Sequence, residues 1–393
     1  MGLASGKQGE LWPTPPAPPP PPVVTSKGSG PAVRPELPQQ PLAPPLVAVL
    51  GVLASVGVGV AAVLLLAPTA VAKVLLLGGR VTQITSGHAH MVMMLGAALQ
   101  PSLAAARELQ HASKAGLTAA GLPRYLAAAL ALHCLMALGI LGQAVSLRNP
   151  TLVGTVLLLT IPELALAAYI SFRQARTAPG GLWASITSLP SHFLYLLTPM
   201  TWRGTLSALT AISLFGMGAH LLSAGPGGPN LLLGTLVTDS VAIFTARQAG
   251  AALVAAGVVM AGLKSVADKG LHTARMPAQL NGSVALMAAA LSTVLLFARW
   301  AGTAVGASWV HHLQLATLAV GLAALTNWPP LARARPRPQA GDSTACVQSV
   351  ADAAAAKVTL PLGASAVSKA ESQQLASDVT FLRAESIPLD SEF

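Results

Sequence analysis

Residues 46–67 read LVAVLGVLASVGVGVAAVLLLA and contain no charged side chain. A helix of about 20 such residues crosses the hydrocarbon core of a bilayer, so this stretch predicts a membrane span. Seven further stretches do the same, and one of them contains Pro101, where we expect a kink. The predicted spans are Leu46–Ala67, Gln83–Ala106, Arg124–Leu147, Thr151–Phe172, Gly204–Leu222, Val237–Leu263, Gly282–Ala298 and Ala304–Thr326. The predicted fold class is an all-α polytopic membrane protein with about eight transmembrane helices.

The composition of the chain excludes a soluble globular protein. Of its 393 residues, 53% are hydrophobic and only 9% are charged, whereas about a quarter of the residues in soluble domains are charged. The net charge of +10 does not indicate a nucleic-acid partner, because the 14 Lys and Arg of residues 46–328 lie mostly in short loops between apolar segments. Cys134 and Cys346 lie in very different segments, so we predict no disulfide framework.

The basic residues predict the sidedness of the chain. With eight spans, twelve Lys or Arg residues fall on the side of the N-terminal tail and four on the other side. The twelve are Arg107, Lys114, Arg124, Arg173, Arg176, Arg203, Lys264, Lys269, Arg275, Arg333, Arg335 and Arg337, and the four are Lys73, Arg80, Arg148 and Arg299. Such an excess marks the cytoplasmic side, or the stroma or matrix in an organelle. Both termini are expected there, in a membrane that the sequence does not identify.

Two tails flank the membrane region. Residues 1–45 contain 14 prolines, a composition typical of solvated polyproline II. This tail is either a disordered spacer or a ligand for SH3- or WW-type domains of a protein partner. Residues 329–393 are also predicted to be disordered. They open with Arg333, Arg335 and Arg337, which either anchor the topology or bind anionic lipid headgroups.

The membrane region contains an internal repeat. Leu75-Leu-Leu-Gly78 and Gly96-Ala-Ala-Leu99 follow the first predicted span, and Leu231-Leu-Leu-Gly234 and Gly250-Ala-Ala-Leu253 follow the fifth in the same order. Corresponding elements are 153 to 158 residues apart.

The repeat predicts two tandem four-helix units, residues 46–172 and 204–328. Residues 173–203 join them as a linker expected to lie in the membrane interface. Because each unit has an even number of spans, both units enter the membrane from the same side. The expected relation between them is an axis along the membrane normal.

Each unit resembles the small four-helix membrane proteins grouped as DoxX-like. The resemblance is carried mainly by residues 204–326: by Leu231-Leu-Leu-Gly234, by Thr245-Ala-Arg247-Gln-Ala-Gly250 at the start of a small-residue helix, and by the helical pair between Gly282 and Thr326. The first unit has Gly87-His-Ala-His90 at the matching place and lacks the arginine. The resemblance implies a four-helix fold for each unit. It implies little about activity, since the members are largely uncharacterised or tied to redox membrane complexes.

Four ionisable residues form a candidate polar site. Glu163 follows Pro162 in the middle of its span, and we expect it to face His133 because a short loop joins their spans. Arg247 is expected to pair with Asp239 or with a histidine of the last span. An ionisable side chain costs ~2.5–3.5 kcal/mol in a span, so these should turn inward. The functional alternatives are a proton, cation or anion site. The structural ones are a protonated Glu163, a packed neutral histidine and a buried or snorkelling arginine.

Four histidines near one membrane face, His88, His90, His311 and His312, are candidate ligands for a metal or a haem. Against this, residues i and i+2 do not share a helix face, and the spacings of known metal motifs are missing. Histidine at a membrane interface is the competing interpretation.

Gly51, Ser55 and Gly59 form a small-xxx-small ridge on the first span. Such a ridge is typical of close helix packing, here within the unit or between copies of the chain.

The sequence contains no catalytic motif. We expect a non-enzymatic membrane scaffold or a conduit for a small ligand or ion. The alternative is a redox membrane protein whose histidines hold haem or a metal. A third possibility, proton- or ion-coupled transport, would need Glu163.

Overall fold

Ten α-helices make up most of the described part of the chain. The computed structural model of the chain describes residues 42–76, 84–117, 121–143, 150–177, 195–198, 200–223, 240–271, 274–301 and 307–327. The helices are α1 (Pro44–Leu66), α2 (Pro68–Leu76), α3 (Ser86–Ala98), α4 (Gln100–Lys114), α5 (Gly121–Gln143), α6 (Pro150–Thr177), α7 (Trp202–Leu222), α8 (Ser240–Asp268), α9 (Arg275–Trp300) and α10 (Ala307–Asn327). No β-strand occurs in these ranges, so the all-α class is confirmed for them.

Seven helical segments among the described residues are long and apolar enough to cross a membrane. They are α1, the combined α3 and α4 from Ser86 to Lys114, α5, α6 from Leu152 to Arg176, α7, α8 and α9. Each coincides with one of the predicted spans. Helix α10 has 21 residues, and its part Gln314–Asn327 is a shorter apolar stretch. The chain is therefore an integral, multi-pass membrane protein.

Two prolines act differently on the helices that contain them. Helix α3 ends at Ala98 and α4 begins at Gln100, so the predicted kink at Pro101 is confirmed. Proline fits the first turn of a helix because that turn needs no backbone N–H donor. Pro162 lies inside α6, which continues through it.

Helix α8 is the most buried of the candidate spans among the described residues. Of its apolar window 72% is buried, against 22% for both α1 and α6. It packs against α7, α5, α3 and α4, and small side chains such as Ala249, Ala252 and Ala256 fill its surface. Lipid tails are as apolar as leucine, so close packing rather than hydrophobicity holds such helices together. Helices α1 and α6 instead expose large apolar side chains such as Val52 and Leu158, where lipid would cover them.

Helices from the two halves of the membrane region pack reciprocally. The combined α3 and α4 form the second crossing of the first half, and α8 is the second crossing of the second half. Helix α8 packs against α5, the third crossing of the first half, while α3 and α4 pack against α9, the third crossing of the second half. Helices α5 and α8 run antiparallel, since Tyr125 lies beside Gly262 and Ala137 beside Gln248.

In each half, the first two crossings meet at a glycine. A Cβ on Gly96 would lie 2.8 Å from the Leu64 Cβ of α1, and a Cβ on Gly250 would lie 3.0 Å from the Leu221 Cβ of α7. Each would also lie close to the backbone oxygen three residues earlier in that helix, at 3.0 and 2.7 Å respectively. Only glycine allows backbones to approach so closely.

Within a single chain, the small-residue ridge expected on α1 is not a packing surface among the described residues, and its packing between copies stays a prediction. Ser55 and Gly59 are exposed, and a Cβ on Gly59 would have no neighbour within 4 Å. Of the three ridge residues, Gly51 approaches another helix, at the Gln110 side chain of α4. The spacing of small residues does not specify which helix face is buried, and here that face consists of Val47, Leu50, Ala54, Ala61 and Leu64.

The predicted boundaries fall close to helix ends where they can be compared. Helix α1 starts at Pro44, just before residue 46, and α6 extends beyond residue 172 to Thr177. Residues 178–194 of the linker and most of both tails, including Arg333, Arg335 and Arg337, lie outside the described residues. All described residues belong to one compact unit.

Candidate functional site

Glu163 lies on α6, and its carboxyl group interacts electrostatically with the Cys134 thiol of the neighbouring helix α5. We expected His133 as its partner. Adjacent residues on a helix point about 100° apart, so only one of the two can face α6. His133 is buried, and its Nδ1 has no hydrogen-bond partner in the described structure. On the predicted pair of helices, the described contact of Glu163 is with Cys134, and none is described with His133.

The Glu163–Cys134 pair could bind a proton, but it supplies few ligands for a metal ion. Glu163 is half-buried and Cys134 is fully buried. Among the described residues, no three His, Cys, Asp or Glu side chains converge as a metal site would require. The pair is therefore an isolated polar contact of the helical hairpin.

Arg247 is bound at the far end of α5. Its Nη1 donates to the Gln143 Oε1 at 2.9 Å, and the arginine is half-buried. The neighbouring Gln248 donates from Nε2 to the backbone oxygen of Ala137 at 3.1 Å. Both contacts tie α8 to α5. The expected partner Asp239 lies outside the described residues.

Glu163 and Arg247 contact α5 at two different places. Their partners on α5, Cys134 and Gln143, are nine residues apart in sequence, which is about 13 Å along a helix axis. The candidate polar site is thus at least two separate contacts on one helix rather than a single pocket.

His88 contributes to the start of α3. Its Nδ1 accepts a hydrogen bond from the Thr85 backbone N–H at 3.1 Å and lies 2.9 Å from the Thr85 hydroxyl oxygen. These bonds satisfy polar groups at the helix N-terminus, which leaves that nitrogen unavailable to a metal. His90, two residues later in the same helix, is also buried. His311 and His312 belong to α10, but their side chains are outside the described part of the structure.

A buried ionic cluster that sequence analysis missed lies at the end of α8. We call Lys264, Asp268, Tyr195 and Thr201 the Lys264 cluster. The Lys264 Nζ lies 2.7 Å from the Asp268 Oδ2, and the two side chains are 0% and 1% exposed. Tyr195 donates its hydroxyl to Asp268 Oδ2 at 3.0 Å, and Thr201 donates to Oδ1 at 2.9 Å. The Lys264 Nζ also lies 3.8 Å from the centre of the Tyr195 ring.

The Lys264 cluster attaches the chain preceding α7 to the end of α8. Thr201 caps α7 as well, because its hydroxyl accepts from the Gly204 N–H at 3.0 Å. Both charges are neutralised within the cluster, so it is a structural clasp. We counted Lys264 only as a topology marker. The i, i+4 spacing of Lys264 and Asp268 on one helix was the available signal.

A small apolar cleft lies between α3, α7, α8, α9 and α10. Its one polar side chain, Thr317, has its hydroxyl 2.8 Å from that of Ser292. The cleft is lined by Met94, Met217, Leu221, Leu253, Leu291, Leu295 and Thr317. Such a lining offers nothing to a hydrated ion.

The chain matches no protein-family model and no curated protein.

Proposed function

We propose that the chain is a non-enzymatic membrane scaffold made of two tandem four-helix units, about eight spans in all. The units are of the DoxX-like kind that the sequence resembles, with both termini on the same side of the membrane. In this proposal the second crossings of the two units form the rigid centre, and the tails are free to engage partners on one side.

The duplication is supported by the two glycine crossings. Gly96 and Gly250 belong to the corresponding tetrapeptides of the repeat, and each meets the first helix of its own half through the same kinds of atom. The reciprocal packing of α8 on α5 and of α3 and α4 on α9 supports an axis between the second crossings. A shared interface of this kind is what two similar units related by two-fold rotation produce.

The single observation that carries the scaffold function is the close packing of α8. Its buried face is rich in alanine and glycine, and polar side chains in this part of the bundle link neighbouring helices. Gln248 bonds to α5, and Asn327 of α10 donates to the Ser207 Oγ of α7 at 3.0 Å. The cleft beside α8 is apolar. These features favour a fixed bundle over a hydrated passage.

A flux measurement tests the proposal. Full-length protein in proteoliposomes should leave the proton and monovalent-cation permeability of the vesicles equal to that of empty vesicles. A protein-dependent flux that Glu163→Gln abolishes would contradict the scaffold. Glu163→Ala is the companion variant. It removes the ionisable group as Glu163→Gln does, and it also removes the polar contact with Cys134.

A proton or ion conduit is the second candidate function, favoured by the Glu163–Cys134 contact inside the α5–α6 hairpin. An ionisable residue in a span is a functional candidate by default. If Glu163 only ties the two helices, Glu163→Gln should be nearly silent, since the amide can still bond to its neighbours. If it binds a proton or cation, the same change should abolish activity and leave expression intact.

The redox alternative would need histidines or other ligands that converge on a haem or metal. No such group occurs among the described residues, and the His88 Nδ1 is already bonded. We expect the purified protein to show no Soret band. A Soret band lost on substitution of His90, His311 or His312 would favour the redox function over the scaffold.

A further inference from the structure

Four basic side chains gather where α4 ends and α9 begins. Arg107, His111 and Lys114 are spaced by four and three residues, so they share one face of the last two turns of α4. Arg275 is the first residue of α9, which packs against α4. The packing of α9 on α4 and the electrostatic effect of Arg275, Lys114 and Arg107 on His111 place the four in one region of the surface. We call them the His111 patch.

The described structure provides no counter-ion for this patch. Its described acidic residues are Glu108, Glu163 and Asp268. Glu108 is 3% exposed, the Asp268 side chain is 1% exposed and bound to Lys264, and Glu163 lies in the α5–α6 hairpin. Within the described ranges, the three strong cations of the patch form no hydrogen bond or ion pair, and all three are exposed.

The start of α9 adds to the positive potential at the same place. No side chain caps this helix, and its first turn contains no acidic residue. A helix N-terminus presents free backbone N–H groups and the positive end of the helix dipole, which favour an anion.

The His111 patch lies at the ends of two candidate spans, with Arg107 two turns before the end of the first. Lys114 ends one candidate span and Arg275 begins another. The backbone N–H of Leu42 donates to the Ser113 oxygen at 3.3 Å, which places the start of α1 at the same level. The ends of apolar spans are where headgroup phosphates of a bilayer are expected.

We propose that the His111 patch binds the phosphate of an anionic phospholipid headgroup. Arg107, Lys114 and Arg275 supply the charge, and the N-terminus of α9 faces the same anion. The patch joins α4 of the first half to α9 of the second, so a bound lipid would bridge the two halves at their surface.

The test compares full-length variants by native mass spectrometry after partial delipidation from bilayers containing phosphatidylglycerol and phosphatidylcholine. The combined change Arg107→Gln, Lys114→Gln and Arg275→Gln should reduce the retained phosphatidylglycerol at least tenfold relative to phosphatidylcholine. Each single change should reduce it about fivefold, from the usual contribution of one basic residue at an anionic surface. The single changes keep the test valid if the triple variant does not fold.

The matched control removes three cations outside the patch, through Lys73→Gln, Arg176→Gln and Arg203→Gln. It should reduce lipid retention several-fold less than the patch triple variant does, because its three cations do not converge on one anion. An equal loss in both triple variants, or a loss in neither, would overturn the proposal. Binding of inorganic phosphate to the wild type without retained phosphatidylglycerol would also overturn it, because the patch would then serve a soluble anion.

Discussion

At the residue scale, the buried ion pair of Lys264 and Asp268 limits which substitutions the second half of the chain tolerates. Lys264 is fully buried and depends on Asp268 for neutralisation. Lys264→Met should destabilise the protein by about 3–5 kcal/mol, because Asp268 would remain buried without its cation. The measurement is the free energy of unfolding from chemical denaturation in mixed micelles.

Two controls separate the loss of the cation from the change of side chain. Lys73→Met alters an exposed lysine and should change the unfolding free energy by less than about 0.5 kcal/mol. Adding Asp268→Leu to Lys264→Met should restore part of the lost stability, since no unpaired charge is then buried. Equal stability of Lys264→Met and the wild type would contradict the role of the cluster.

Individual side-chain contacts were the least predictable feature of this sequence. We predicted that Glu163, as an ionisable residue in a span, turns toward a neighbouring helix, and its described contact is with Cys134 of α5. Its partner is Cys134 rather than His133, because the rotation of an apolar helix about its axis leaves little trace in sequence when most faces are apolar. The Tyr195–Asp268 contact joins residues far apart in the chain, and no local pattern indicated it.

At the element scale, the glycine crossings set the spacing between helices. Gly250→Ala would place a methyl group 2.7 Å from Gly218 O and 2.9 Å from Leu222 N, both backbone atoms that cannot rotate away. Gly96→Ala would meet Leu64 Cβ at 2.8 Å. We expect each change to cost about 1–3 kcal/mol of stability, as overpacking does in well-packed interiors. Thermal unfolding in detergent measures it.

Exposed glycines provide the comparison for these crossings. A Cβ on Gly139 or Gly216 would have no neighbour within 4 Å. Their replacement by alanine should be neutral or stabilising by up to about 1 kcal/mol, because alanine favours helix. If alanine at the exposed glycines costs as much stability as alanine at Gly96 and Gly250, close backbone approach does not explain the two crossings, and they no longer support the duplication.

The elements themselves were largely predictable. Apolar length identified the seven candidate spans, and Pro101 identified the break between α3 and α4. The burial of one helix over another was not predictable from length or apolarity: α1, which has the highest mean hydropathy at 2.6, is among the least buried. Packing in lipid follows small residues and shape, and within the chain the helices meet at Gly96 and Gly250 rather than at the ridge of α1.

At the scale of the whole molecule, the proposal makes topology the decisive property. Two four-helix units in the same orientation require the N-terminal tail, the linker between the units and the C-terminal tail to lie on one side. Seven spans would put the two tails on opposite sides, and an inverted repeat would need an odd number of spans in each unit. Charge distribution predicted the first arrangement from sequence, although it does not identify the membrane.

The most direct measurement is labelling with a membrane-impermeant maleimide in sealed vesicles of one orientation. Cys346 is a natural probe of the C-terminal tail, because the other cysteine, Cys134, is buried. Ser26→Cys and Ser188→Cys, each combined with Cys346→Ser, report on the N-terminal tail and the linker. We expect all three positions to react from the same side. A linker labelled only from the opposite side would contradict the two parallel units, and a C-terminal tail labelled only from the opposite side would contradict the eighth span.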